Sequence, residues 1–178
     1  LQNFVSSLRR ALGADVLLTR PPGYELRIER GQLDLERLRM LVDDARRSPA
    51  PERGAKLREA LSLWRGPPLA EFVFDDFARP EIARLEELRL TTLEERIEAD
   101  LEAAASAGLV GELESLVEEH PLREGFRRQL MLALYRSGRQ AEALQAYHDT
   151  RRVLVDELGI EPGRPLQHLH GAILRQDP

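Results

Sequence analysis

The sequence contains no cysteine. That absence removes disulfide frameworks, thiolate metal sites and thiol nucleophiles together, and makes a reducing compartment, the cytoplasm, the natural setting. Lysine is almost missing as well: of 26 basic residues only Lys56 is lysine. Such a bias points to a GC-rich genome, because arginine codons can be rich in G and C and lysine codons cannot. Apolar runs stay short, Leu130 to Tyr135 being an example, so none approaches the roughly 20 residues of a membrane span. No secretory leader opens the chain. It begins at Leu1 rather than at a methionine and already inside an amphipathic pattern, so it reads as a piece of a longer protein.

What is present suits a folded body. Apolar residues make up 42% of the 178 residues and charged residues 32%, too apolar for general disorder. The net charge of −5 is unevenly spread. Arg9, Arg10, Arg20, Arg27 and Arg30 outnumber Asp15, Glu25 and Glu29 in the first 30 residues, leaving the acidic excess to the rest. A basic head on an acidic body fits two kinds of partner.

The periodicities follow the same division. Leu1, Val5, Leu8 and Leu12 share one side of a helix and Asn3, Ser6, Ser7 and Arg10 the other, with Gly13 as terminator. Val16 to Thr19 reads as a strand, Pro21 to Gly23 as a turn, and the alternation of Tyr24, Leu26 and Ile28 as a second strand. Beyond residue 30 every periodic segment is helical. Asp34 is placed to N-cap a helix carrying Leu35, Leu38, Leu41 and Ala45. Glu52 to Arg65 forms the next, with Leu57, Ala60, Leu61 and Trp64 on its stripe, and a long helix runs from Pro80 to about Ala105. Turns follow at Ser106 to Gly108, at His120 and Pro121, at Ser137 and Gly138, and from Gly159 to Pro165. Leu101 and Met131 stand seven residues before Gly108 and Gly138, and Leu113 and Ala143 five after them, so helix pairs repeat in a manner that echoes the tetratricopeptide pattern.

Several blocks carry a more specific likeness. Val5 to Gly13, then Leu18 to Arg20 and Gly23 with Tyr24, resemble the recognition helix and wing of winged-helix regulators. The run from Leu57 through Trp64, Arg65, Gly66 and Pro68 to Leu69, the run His120 to Glu124, the run Leu132 to Leu144 and the run Leu158 to Gly163 resemble a bacterial transcriptional activation domain. In this order they resemble the Streptomyces antibiotic regulatory protein family over nearly the whole chain. The resemblance implies a mainly α fold: a tetratricopeptide-like helical repeat domain at 31–178, preceded at 1–30 by the carboxy-terminal helix and β-hairpin of a winged helix-turn-helix. It implies a transcriptional activator that binds directly repeated sites on double-stranded DNA, contacts RNA polymerase through its helical domain and self-associates as a homodimer. The strands and two helices that precede the recognition helix in that family would lie upstream of Leu1. The alternative is a protein–protein interaction scaffold within a larger signalling ATPase or sensor.

On this reading Asn3, Ser7 and Arg10 face base edges, Arg9 lies near phosphate, and Arg20 at the hairpin tip reaches the narrower groove or phosphate. Arg127, Arg128, Gln145 and His148 lie off the apolar stripes and form the expected protein-contact surface. Trp64, Tyr135 and Tyr147 are expected in the core, and His120 and His148 at the surface. His168 and His170 are two apart on a helix and face different ways, so no metal site is expected. The carboxylate pairs Asp75 with Asp76, Glu86 with Glu87 and Glu118 with Glu119 read as solvated faces. With no phosphate loop, glycine fingerprint or nucleophile elbow, neither an enzyme nor a cofactor is expected.

Overall fold

The structure, a computed structural model, describes residues 2–29, 31–104 and 108–177. Leu1, Arg30, Ala105 and Ser106, named above at a chain start, in the basic head, at a helix end and in a turn, lie outside those residues. The elements run α1 (Gln2–Leu12), β1 (Leu17–Arg20), β2 (Gly23–Leu26), α2 (Asp34–Ala45), α3 (Ala50–Ser62), a 3-10 turn (Ala70–Phe72), α4 (Arg79–Glu102), α5 (Leu109–Glu119), α6 (Glu124–Arg136), α7 (Gln140–Leu158) and α8 (Arg164–Leu174). Among the described residues no helix is long and apolar enough to cross a membrane.

The amino-terminal unit is a helix packed on a hairpin. Gly13 ends α1 with φ at 104°, a conformation open to glycine, and its N–H bonds the Arg9 carbonyl at 2.9 Å. β1 and β2 then pair antiparallel, with Leu18 opposite Glu25 and Arg20 opposite Gly23. β1 sits one residue later than its sequence-based position, and β2 starts one residue earlier and stops at Leu26, short of Ile28. Among the described residues of this unit, Val5 and Leu17 are the buried side chains.

The helical part holds two apolar cores. Leu38, Val42, Ala45, Leu57 and Ala60 of α2 and α3 form the smaller, with Leu88 of α4 packed against it. The larger is built from α4 to α8 around Ile97, Leu101, Leu113, Phe126, Met131 and Ile173. The 24-residue α4 thus serves both. The repeat register read from the glycines is the packing register: Leu101, Met131, Leu113 and Ala143 are all 1% exposed or less. At about 1.5–3 kcal/mol for each large apolar side chain withdrawn from water, this shared spacing is what makes the helices stack. Gly138 and Gly159 take positive φ, 77° and 68°, as helix-ending glycines must when the next N–H turns back to the helix; Arg139 bonds the Leu134 carbonyl at 2.9 Å.

Two helix starts differ from expectation. Asp34 is the first helical residue, not the cap; Leu33 holds the cap position, and the Asp34 carboxylate lies in the first turn where the helix dipole favours it. α3 begins at Ala50 rather than Glu52 because Pro51 is tolerated in a first turn.

Polar seams fix how the helices meet. Asp100, with its side chain 7% exposed, accepts hydrogen bonds from Arg58 of α3 and from Arg96 of its own helix, and Arg96 continues to Glu112 of α5. Gly54 lets α3 come this close, since a Cβ there would stand 2.9 Å from Asp100 Oδ1. Arg123 bonds Glu87 at 2.7 Å and Glu94 at 2.8 Å, joining the α5–α6 turn to α4. A Cβ on Gly125 would overlap the Glu94 carboxylate. Glu124 Oε2 accepts the Gly163 N–H at 2.7 Å, so the 120–124 block seats the start of α8.

Candidate nucleic-acid interface and partner surfaces

α1 has two usable faces. Val5 is buried toward the hairpin side, whereas Asn3, Ser7 and Arg10 are exposed about a third of a turn or more away, on one arc of the helix. Arg9 differs from the reading that set it near phosphate. It is half-buried, with Nε donating to the Leu17 carbonyl and Nη2 to Thr19 Oγ1, each at 2.8 Å. A guanidinium offers several donors in a fixed fork, and here two of them hold the hairpin against the helix. Arg20, at the end of β1, is exposed and pairs across the hairpin with Glu25 at 3.0 Å. An exposed pair of this kind is worth about 1 kcal/mol or less, so Arg20 is held in place without being tied up. Phe4, Leu8 and Leu12 leave an uncovered apolar side on α1, at 75%, 47% and 51% exposure.

The four residues expected on a protein-contact face do not form one surface. Arg127 is inside: it is 7% exposed, donating to the Pro121 carbonyl at 2.6 Å and to Thr150 Oγ1 at 3.2 Å. Burial lowers its pKa, and Asp149 offsets part of that. Its place off the apolar stripe is legible, but its length lets it reach back to the α5–α6 turn and across the α6–α7 seam to Thr150. Arg128 is half-buried and paired with Glu98 of α4 at 2.6 Å. Gln145 and His148 are exposed, one turn apart on α7; Gln145 donates to Asp149 at 3.1 Å. His148 lies edge-on to Tyr147 and to His170 of α8, with ring centroids 5.8 Å and 5.7 Å away. His170 stacks on Tyr147 at 3.9 Å, and burial together with His148 lowers its pKa from the usual histidine value.

Trp64 also differs from the core expectation. It is half-buried, packed on the smaller core beside Leu63, because α3 ends two residues earlier and the chain turns away through Gly66, Pro67 and Pro68. With Leu35, Leu38, Leu69 and Leu85 it lines an apolar groove of about 740 Å3, whose rim carries Asp34, Arg65 and Glu81. Tyr135 and Tyr147 do pack against the larger core. Two features escaped the sequence reading: this groove, and the outward aromatic side chains of residues 72–77. A signal for the second was present in the interleaving of phenylalanine with acids, a pattern neither helical nor strand-like.

Among the described residues no three histidine or acidic side chains are grouped to hold a metal ion.

The family model for the bacterial transcriptional activator domain matches residues 33–174. The regulatory protein DnrI of Streptomyces peucetius is 43% identical over 195 residues, covering 100% of this chain and 71% of DnrI. The regulatory protein AfsR of Streptomyces coelicolor is 46% identical over 183 residues, covering 100% of this chain but 18% of AfsR. Mycobacterium tuberculosis EmbR, solved in complex with a low-affinity phosphopeptide, superposes with a TM-score of 0.91 at 35% identity over 99% of this chain and 49% of that one. The chain therefore spans only part of most of these relatives. It belongs to the bacterial transcriptional activator domain family, within the Streptomyces antibiotic regulatory protein group of regulators.

Proposed function

We propose that the intact protein is a cytoplasmic, non-enzymatic transcriptional activator. Residues 1–30 supply the recognition helix and wing of a winged-helix DNA reader, and residues 31–178 form the helical domain that contacts RNA polymerase and a second protomer. The observation that carries the DNA half is the division of labour on α1: Arg9 locks the hairpin to the helix, while Asn3, Ser7 and Arg10 stay exposed on one arc and Arg20 stands at the hairpin end. A rigid helix with free polar groups suits the major groove, and an arginine on a hairpin suits phosphate or the narrower groove. For the protein half, Gln145 and His148 on α7, and separately Arg128 on α6 against α4, are the remaining candidates for contact.

The test is a mobility-shift titration of the intact protein on directly repeated duplex sites across a range of salt. Arg10→Ala is expected to cost about 1–3 kcal/mol on its cognate sequence and to relax base preference at one position. Arg20→Ala should weaken all sequences alike and reduce the salt slope by about one phosphate contact. Equal binding by both variants and the parent would remove α1 and the hairpin from the interface. A second reading draws on the 18% coverage of AfsR: the helical unit also exists within much longer regulators, where it could act as a contact scaffold. Intact DNA binding with no activation, restored by a downstream effector domain, would favour it.

A further inference from the structure

The segment between α3 and α4 is ordered by its backbone rather than by burial of its side chains. Leu69 adopts a left-handed φ of 51°, and then Phe72, Asp75 and Ala78 each donate an N–H to the carbonyl three residues back, at 2.8, 2.9 and 3.0 Å. Ala78, 1% exposed, anchors the end of this run. The consequence is an outward aromatic patch: Phe74 is 91% exposed, Phe77 72%, Val73 49% and Phe72 41%, with the Phe72 and Phe77 rings 5.6 Å apart. Three phenylalanines at those exposures leave on the order of 400 Å2 of apolar surface in water, the size of the largest patches on soluble monomers, which are often functional.

Charge narrows the occupant. Glu71, Asp75 and Asp76 are interleaved with the rings, and among the described residues only Asp76 has an ion-pair partner, Arg79 at 3.2 Å. The adjoining apolar groove is a poor socket for a second copy, because its one lining arginine, Arg65, already faces Asp34 at 3.9 Å and Glu81 is paired with Arg84, so it offers these acids no unpaired cation. The complement is a protein surface with an apolar pocket ringed by arginine or lysine. We propose that residues 71–77 are an acidic-aromatic docking surface for such a basic-rimmed pocket on the transcription machinery, with Phe74 and Phe77 as the inserted side chains. This rests on the reading above that the helical domain contacts RNA polymerase, and gives that contact a surface distinct from α7.

The test uses the full chain and purified RNA polymerase holoenzyme, with binding followed by biolayer interferometry at several salt concentrations and oligomeric state by sedimentation velocity. Phe74→Ser with Phe77→Ser should weaken polymerase binding at least tenfold, as loss of inserted aromatic anchors does. Glu71→Lys with Asp75→Lys should weaken it several-fold and flatten its salt dependence. Both double variants should keep the parent's thermal midpoint, since the replaced side chains are exposed, and that readout separates lost docking from lost folding. Unchanged polymerase binding by the Phe74 and Phe77 variant would overturn this surface and leave the polymerase reading standing. Failure of the parent chain itself to bind holoenzyme would overturn both. Self-association of the parent that the same variant abolishes would make the patch an interface between copies, and would overturn the basic-rimmed occupant.

Discussion

At the scale of single residues, Asp100 shows why position decides what a charge is worth. Its carboxylate lies between Arg58 and Arg96, and Arg96 is itself buried, with its side chain 8% exposed. Removing Asp100 would leave Arg96 in a low-dielectric seam with Glu112 alone. We expect Asp100→Ala to cost about 3–5 kcal/mol, seen as a lower urea midpoint, whereas Glu25→Ala at the exposed hairpin pair should cost about 1 kcal/mol or less. A midpoint shift for Asp100→Ala no larger than that for Glu25→Ala would mean that the seam is wetter than its geometry implies. The same contrast explains Arg127. Composition and helical phase place arginine off the apolar stripe correctly, but neither says whether a long side chain will reach water or a backbone carbonyl. Here the Pro121 carbonyl lies within 2.6 Å of Nε, and no pattern in the sequence announces that partner.

At the scale of elements, what could be read in advance was what periodicity and turn chemistry encode. Helix stripes, the glycine stops and the repeat spacing all emerge from local rules, and Leu101, Leu113, Met131 and Ala143 are buried as those rules require. Trp64 was misjudged because stripe logic assumes that the helix continues, and α3 stops at Ser62. Contacts between distant blocks were not legible either: nothing local tells Glu124 that it will accept the Gly163 N–H and so seat α8. α8 carries a pH-sensitive contact. His170 lies against Tyr147 and near His148, and its pKa is lowered first by burial and then by His148. The folded state therefore disfavours the proton. The contribution of neutral His170 is fully present above the ordinary histidine value of about 6.5 and is lost as pH falls through the lowered folded value. Glu142 and Glu161, held below their usual range by Arg139 and Arg151, stay charged through that window. We expect the thermal midpoint to fall between pH 7.5 and 5.5, and His170→Phe, which can keep the stack on Tyr147, to remove most of that fall. An unchanged pH slope in the variant would assign the effect to another group.

At the scale of the whole molecule, the basic head and acidic body seen in the charge distribution correspond to units with separate interiors. Val5 and Leu17 bury themselves between α1 and the hairpin, and neither belongs to the core of α2 and α3 or to the larger core of α4 to α8. α4 ties those two helical cores together through Leu88 near its middle and Ile97 and Leu101 near its carboxy-terminal end, with the Arg58, Asp100 and Arg96 seam linking α3 to α4. Cooperative unfolding should then belong to the helical part, with little contribution from the head, whose apolar side chains Phe4, Leu8 and Leu12 stay largely in water. A chain lacking residues 1–29 is expected to unfold in one transition by far-ultraviolet circular dichroism, with a midpoint within about 3 °C of the parent. For a body of this size such a shift corresponds to about 1 kcal/mol. Native-state hydrogen exchange on the parent should show the same division, with amides of α1 and the hairpin exchanging through low-energy openings and those of α4 and α6 only on global unfolding. A loss of 10 °C or more on deletion, or equal protection of α1 and α6, would show instead that the reader and the helical domain share one cooperative interior.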